Sequence, residues 1–400
     1  MRHRRLVGLL VATLVVQGGV ARAQVAGDTA AVPQRDVMDI LSRVLHGPPD
    51  SGVVDTPPKV VIAVLPAFSV NPAYGVLFGV SGTMLTRLGP PETTNASNAS
   101  VSVNYTTKQQ FNVLVRSNIY GPHNNFLLQG DYRYLDTSQP TYGLGPAQPE
   151  SQKDELEYKL IRIYQTVYRP ATGRVLVGVG YHLDNYYEIV DPNFEQGLRS
   201  PVVDYNGGKH ETHNVASGLS LDLVFDDRDS PIYATTGYYI NAGFRVHTTW
   251  LGSDSDWQSF QSEFRTYNRV GARGVFAVWA SNWFTFGKPP YLALPAIGWD
   301  TYARSGRGYA QGRVRGENQL YLEGEYRVSL SRDGFWGAAA FVNILATTEP
   351  ETERFGRVDP GYGVGLRIKL NKRSTTNITV DYAWGAEGSN GLFLGTGEAF

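Results

Sequence analysis

From about residue 58 onward the chain is a succession of extended segments in which apolar side chains alternate with polar or small ones. In the segment from Asn318, Leu320, Leu322, Tyr326, Val328 and Leu330 point one way, and Gln319, Tyr321, Glu323, Glu325 and Arg327 the other. From Gly361, Tyr362, Val364, Leu366, Ile368 and Leu370 oppose Gly361, Gly363, Gly365, Arg367 and Lys369. From Asn377, Ile378, Val380, Tyr382 and Trp384 oppose Asn377, Thr379, Asp381 and Ala383. A soluble antiparallel sheet shows the same alternation, with water on its polar side. Length separates the two cases. These segments run roughly 10 to 15 residues, about twice the usual soluble strand, whereas a tilted membrane strand needs about 9 to 11. The fold class is therefore all-β, an antiparallel transmembrane barrel with its apolar face to lipid and its charged face to a wet lumen.

Sixteen such segments start near residues 60, 74, 98, 109, 124, 155, 172, 211, 236, 256, 273, 318, 334, 359, 374 and 391. An even number closes a single-chain barrel with both termini on one side. Connections at about 137–154, 188–210, 287–317 and 346–358 are long, and all fall on the side away from the termini. Short periplasmic turns and long external loops are the usual asymmetry of such barrels.

Composition agrees. The 24 Tyr and 7 Trp suit interfacial girdles. The absence of Cys excludes a disulfide scaffold, thiol catalysis and thiolate metal sites. A net charge of -1 gives no nucleic-acid footprint.

Residues 1–23 read as a signal peptide. Arg2, Arg4 and Arg5 are basic, Leu6 to Val16 are mostly apolar, and Ala21-Arg22-Ala23 fits a small-x-small cleavage site. The apolar run is too short for a membrane helix, and no later stretch offers 18 apolar residues. Residues 24–58 form a periplasmic N-terminal segment, and 59–400 the barrel. Val37, Ile40, Leu41, Val44 and Leu45 share one face of a short amphipathic helix begun at Arg35 or Asp36 and ended by Gly47-Pro48-Pro49.

The connection at 287–317 is the most informative. It contains Gly306-Arg307-Gly308-Tyr309-Ala310-Gln311-Gly312-Arg313-Val314-Arg315-Gly316. A structureless loop of about 30 residues is unusual unless it is functional or disordered. On a bacterial surface its arginines would meet lipopolysaccharide phosphates. Folded into the lumen, they would meet Glu323, Glu325 and Asp381.

Arg307-Gly308-Tyr309 followed by Gly312-Arg313-x-Arg315 resembles the sixth-external-loop motif of the BamA/TamA superfamily of bacterial surface antigens. Asp226-Asp227-Arg228-Asp229-Ser230-Pro231, with Gly237 after it, resembles the family's turn entering strand nine. Glu325-Tyr326-Arg327, Ala340-Phe341-Val342-Asn343, Gly363-Val364-Gly365-Leu366-Arg367 and Asn377-Ile378-Thr379-Val380-Asp381-Tyr382 match in order, with Tyr142-Gly143-Leu144-Gly145 as a weaker element. Asn343 stands where the family carries Asp, which removes one carboxylate partner. Gly306 stands where Val or Met is common, and Arg315-Gly316 offers a second register beside Arg307-Gly308. POTRA repeats are missing, so the resemblance is to the short, POTRA-less subgroup. It implies an outer-membrane protein with the loop tucked into the lumen and Arg307 locked by Glu323 or Asp381. It also implies assistance in moving or inserting protein or lipid. The alternative is a passive pore or structural surface protein.

Phe400 resembles the terminal aromatic read by barrel-assembly machinery, although Glu398 stands where an apolar residue is expected. Pro66 in the first strand and Gly395 and Gly397 in the last weaken their pairing. In the superfamily such a seam opens laterally; the alternative is that these residues mark bulges. The partners implied are outer-membrane lipid and lipopolysaccharide, with the assembly machinery or a separate periplasmic protein; nucleic acid is not among them. No enzyme and no cofactor is expected. His210-Glu211-Thr212-His213 lacks metal spacing, because in an extended chain its histidines lie about 10 Å apart on opposite faces. A catalytic reading would require a Ser or Asp within hydrogen-bond reach of a His.

Overall fold

The computed structural model describes residues 34–40, 60–301, 303–350, 352–372 and 375–400. Sixteen antiparallel strands close into one barrel, each paired with its neighbours in sequence and β1 with β16. They are β1 (Val60–Asn71), β2 (Gly75–Thr86), β3 (Ser97–Thr106), β4 (Phe111–Tyr120), β5 (Leu127–Thr141), β6 (Asp154–Thr172), β7 (Val175–Val190) and β8 (His213–Asp226). The second half is β9 (Gly237–His247), β10 (Trp257–Val270), β11 (Gly274–Gly287), β12 (Asn318–Ser329), β13 (Trp336–Thr348), β14 (Phe355–Asn371), β15 (Thr376–Gly385) and β16 (Asn390–Thr396). Every start lies within four residues of its expected place. The long connection expected at 346–358 is shorter, because β13 and β14 pair as far as Thr348↔Phe355.

The alternation sorts side chains as the period of two requires. Val342, Tyr362, Val364, Tyr382 and Trp384 are exposed on the outer face. Glu323, Glu325, Arg327, Asn343, Arg367 and Asp381 are buried in the lumen. This is the inverse of a soluble barrel and leaves the outer surface an apolar band.

The seam is unlike the other junctions. β1 pairs with β2 over its whole length, from Val60↔Thr86 to Asn71↔Gly75, but with β16 at the single register pair Val70↔Leu394. The Ser69 hydroxyl adds one bond to the Leu394 carbonyl at 2.5 Å. Strand β16 is only 7 residues long, and the chain turns at Gly397, whose φ of +80° suits glycine. Glu398 and Phe400 then bury themselves in the lumen rather than continuing the wall.

The amphipathic helix is described only at residues 37–40; Leu41, Val44 and Leu45 lie outside the described residues, as do the signal peptide and the rest of the segment up to residue 59. Asp36 caps it, accepting from the Asp39 amide at 2.7 Å, and the Lys372 amide donates to Asp36 at 2.8 Å. The Lys372 ammonium lies 2.8 Å from Asp39, which ties this segment to the β14–β15 turn.

Candidate functional site

The 288–317 loop between β11 and β12 is folded, and it lies inside the barrel. Its two limbs pair: the Ile297 amide donates to the Val314 carbonyl at 3.0 Å, the Gly312 amide to the Ile297 carbonyl at 2.9 Å, and the Gly316 amide to the Pro295 carbonyl at 3.1 Å. Apolar contacts fix both limbs. Tyr291, Leu292 and Leu294 pack with Leu156, Tyr158, Leu160 and Tyr186 of β6 and β7. Ile297, Tyr309 and Val314 pack with Trp279, Tyr321, Leu345 and Phe400. The far end of the loop crosses to another wall, where Arg116 and Arg133 donate to the Thr301 carbonyl at 2.6 and 3.0 Å. The loop thus roofs the lumen on the long-loop side. Beneath it lies a basin of about 1240 Å3 whose lining reaches the short turns.

Arg307 is the deepest anchor. Its Nη1 sits 3.0 Å from Asp381 Oδ2, and its Nη2 meets Glu325 at 2.6 Å and also Glu323. The guanidinium carbon lies 3.5 Å from the centre of the Phe341 ring. Register explains the convergence. Glu323 pairs with Asn343 and Asn343 with Gly361; Glu325 pairs with Phe341 and Phe341 with Gly363; Gly365 pairs with Asp381. Gly361, Gly363 and Gly365 thus face the lumen along β14 and leave a trough. A Cβ on Gly361 would lie 2.9 Å from the Arg307 carbonyl oxygen.

The cluster extends past Arg307. Arg327 Nε lies 2.5 Å from Glu325, and Arg367 bridges Asp381 at 2.5 Å and Glu398 at 2.8 Å. Asn377 donates to Glu398 at 2.6 Å, and Tyr321 donates to Glu323. Three guanidiniums (Arg307, Arg327, Arg367) face four carboxylates (Glu323, Glu325, Asp381, Glu398), all buried. Each such charge requires its partners, because an unpaired one in this setting is expensive. Asn343 donates its Nδ2 to the Arg307 carbonyl at 3.0 Å. It holds the loop's backbone instead of its guanidinium.

Of the two Arg-Gly pairs, Arg307 enters the carboxylate cluster. Arg315 donates to the Tyr291 and Leu294 carbonyls at 2.9 and 3.2 Å, closing the loop on itself. Arg313 reaches out to Glu150 at 2.8 Å and stacks 4.2 Å from the Tyr142 ring, tying in the 142–153 loop. Gly308 has φ +105°, and Gly312 has φ +83°. Sequence reasoning missed Arg304, which donates to the Thr396 carbonyl at 3.0 Å and to that of Glu398, and so grips the seam strand. Phe400, expected only as a terminal recognition aromatic, packs inside: its carbonyl accepts from Arg327 at 2.7 Å while its ring lies 5.4 Å from Trp279.

The turn motif is separate, at the opposite rim. Arg228 donates to Asp226 at 2.9 and 2.8 Å, and Asp229 accepts from the Thr235 amide at 2.8 Å. Gly237 has φ +104°, and the Asp227 carbonyl occupies the space a Cβ would need. This geometry closes the turn and touches no other candidate residue.

A serine and a histidine do meet: His182 Nε2 and Ser220 Oγ lie 2.9 Å apart in the lumen. The Ser220 hydroxyl donates to Asp222, so its proton is directed away from the imidazole. No carboxylate orients His182 Nδ1, which has no partner among the described residues. The order of groups differs from a nucleophile–base–acid relay, in which the histidine lies in the middle. His210 stacks on Phe194 at 4.7 Å, and no group of three His, Asp or Glu residues is placed to hold a metal ion among the described residues.

No protein-family model and no curated protein matches the chain. Among solved structures it is similar to BamA from Haemophilus ducreyi lacking POTRA domains 1–3. The TM-score is 0.54 at 14% identity, over 84% of this chain and 69% of that one. It is also similar to CdiB from Acinetobacter baumannii, with a TM-score of 0.53 at 15% identity over 85% of this chain and 59% of that one. CdiB from Escherichia coli gives 0.55 at 10% identity, over 86% and 63%. The chain therefore spans less than two thirds of either CdiB. At these identities the likeness is one of fold: a closed, sixteen-stranded antiparallel barrel.

Proposed function

We propose that this protein is an outer-membrane barrel that assists the insertion or translocation of protein or lipid, with the 288–317 loop as its internal lock and the β1–β16 junction as the place where it opens. The seam carries the reading. A barrel abolishes edges only if every strand is paired. Here β1 and β16 share one register pair, while the same strand β1 is fully paired to β2. An edge of β1 left without a β16 partner beyond that pair is one that an incoming strand or a lipid-associated segment would complete.

Two further observations support it. Arg304 ties the lock loop to the two ends of the seam's last turn, at Thr396 and Glu398, so movement of the loop bears on the seam. The exposed apolar outer face fits a lipid surround, and the likeness to BamA fits the outer membrane. The loop roof argues against an open diffusion pore.

The test exploits a chain with no cysteine. Val70→Cys with Leu394→Cys places a bridge at the one seam pair. In proteoliposomes, the oxidised double variant is expected to lose insertion of a small unfolded barrel client, and dithiothreitol to restore it. Equal activity of oxidised and reduced protein would contradict the reading.

A further inference from the structure

The wall formed by β6 to β11 meets the loop roof at a small niche of about 20 Å3. The niche adjoins the basin, with which it shares Arg162, Tyr164, Arg245, Gln261, Trp283 and Trp299. Its polar lining is rich in donors. The indole N–H groups of Trp257, Trp283 and Trp299 and the Nε–H of Arg245 are buried and have no hydrogen-bond partner among the described residues. Trp257 is only 4% exposed, and its ring is fixed by stacking on His247 at 3.9 Å. The one carboxylate there, Asp184, is already taken by Arg162 at 2.6 and 2.8 Å and by the Tyr164 hydroxyl at 2.5 Å.

Charge points the same way. The guanidiniums of Arg162 and Arg245 lie 4.4 and 4.9 Å from the centre of the same Tyr164 ring. Arg162 has Asp184 as its counterion, whereas Arg245 has no carboxylate within ion-pair distance among the described residues. Within the niche two guanidiniums stand against one carboxylate; Asp222, in the adjoining basin, faces Arg245 from beyond ion-pair distance and is held by the Ser220 hydroxyl. Buried donors without acceptors cost free energy that an anionic oxygen recovers, and bonds to an ionised group are the strong ones.

We propose that the niche binds the phosphate group of a small polar phosphate ester, with the rest of the molecule lying in the basin. The four donors come from four separate chain segments (β9, β10, β11 and the roof loop) around an opening that admits a phosphate oxygen, with the phosphorus at its mouth. The niche has room for little more than a water-sized group, so only the charged oxygens enter it. The basin lining reaches the short-turn rim, which gives the ester a route in beneath the roof. This assignment is independent of the insertion role.

The test is tryptophan fluorescence of the full barrel in phosphate-free detergent, titrated with inorganic phosphate, glucose 6-phosphate, glucose and dihexanoyl phosphatidic acid. Saturable quenching by inorganic phosphate and glucose 6-phosphate, absent with glucose, is expected. Arg245→Gln and Trp299→Phe should each weaken it, the former by about tenfold or more. A response to phosphatidic acid alone would still support the site and identify a lipid head group as its source. Heat-modifiable migration shows that the variants fold; Arg245→Gln breaks no ion pair among the described residues, and Asp222 keeps its bond from the Ser220 hydroxyl. No saturable response to any phosphate probe up to about 10 mM, or binding unchanged in both variants, would overturn the proposal.

Discussion

The Nη1 of Arg307 lies 3.0 Å from Asp381 Oδ2, so a loop between β11 and β12 is held by the strand that pairs with the barrel's last one. Its second nitrogen reaches Glu323 and Glu325 of β12. This forked reach requires a guanidinium. Arg307→Lys is expected to keep one contact and lose the other, because an ammonium is a point donor. Arg307→Ala leaves Glu325, Asp381 and Glu323 short of a counterion and should cost about 3–5 kcal/mol of stability, by analogy with broken buried pairs. Urea unfolding of the folded band in lipid vesicles measures both.

Asn343→Asp brings in the residue of the motif that this stretch resembles, yet is expected to destabilise this barrel. The amide donates to the Arg307 carbonyl at 3.0 Å, and a carboxylate cannot. The change also adds a fifth acid to a cluster that already has one more carboxylate than guanidinium. A loss of about 1–3 kcal/mol is expected from the orphaned carbonyl alone. The same unfolding assay checks it, and a gain in stability would contradict the geometry.

Gly308→Ala tests the backbone path of the loop. The φ of +105° disfavours any L side chain, and a Cβ there would lie 2.6 Å from the Trp384 carbonyl oxygen. Strain of this kind costs about 1–3 kcal/mol. Gly334→Ala, in a turn with positive φ and open space around the Cβ, is the control and should cost less.

The link between Glu150 and Arg313 predicts a pH dependence. Burial raises the Glu150 pKa, but bonds from Arg313 and Tyr142 and the charge of Arg313 outweigh it, and the net shift is downward. A depressed carboxylate stabilises above its unfolded pKa, and the contribution is lost as pH falls through the lower, folded value. The 142–153 loop should therefore stay docked at pH values where an ordinary glutamate has begun to protonate, near about 4.3. Hydrogen exchange of that loop should rise only below this point, and Glu150→Gln should remove the step. The side chain is largely exposed, so the effect is small.

Sequence and structure agree where the signal is local and repeated. The period-two alternation around Leu322, Val364 and Tyr382 assigns faces without any long-range information. The loop between β11 and β12 stood out because four glycines and three arginines are costly without a use. The β13–β14 connection, expected at about 346–358, was overestimated: β14 begins at Phe355, and Arg357 and Asp359 pair at 2.9 Å within it. The inward course of Glu398 and Phe400 was not legible. It depends on Arg367, Arg327 and Trp279, which come close only once the barrel has closed. The separate tasks of Arg313 and Arg315 were hidden for the same reason.

Single-channel conductance of the wild type and Arg307→Ala in planar bilayers tests the central claim, that the 288–317 loop closes the lumen and Arg307 holds it there. A small or flickering wild-type conductance that rises sharply in the variant is the predicted result. A large, steady wild-type conductance, little changed by the substitution, would contradict it.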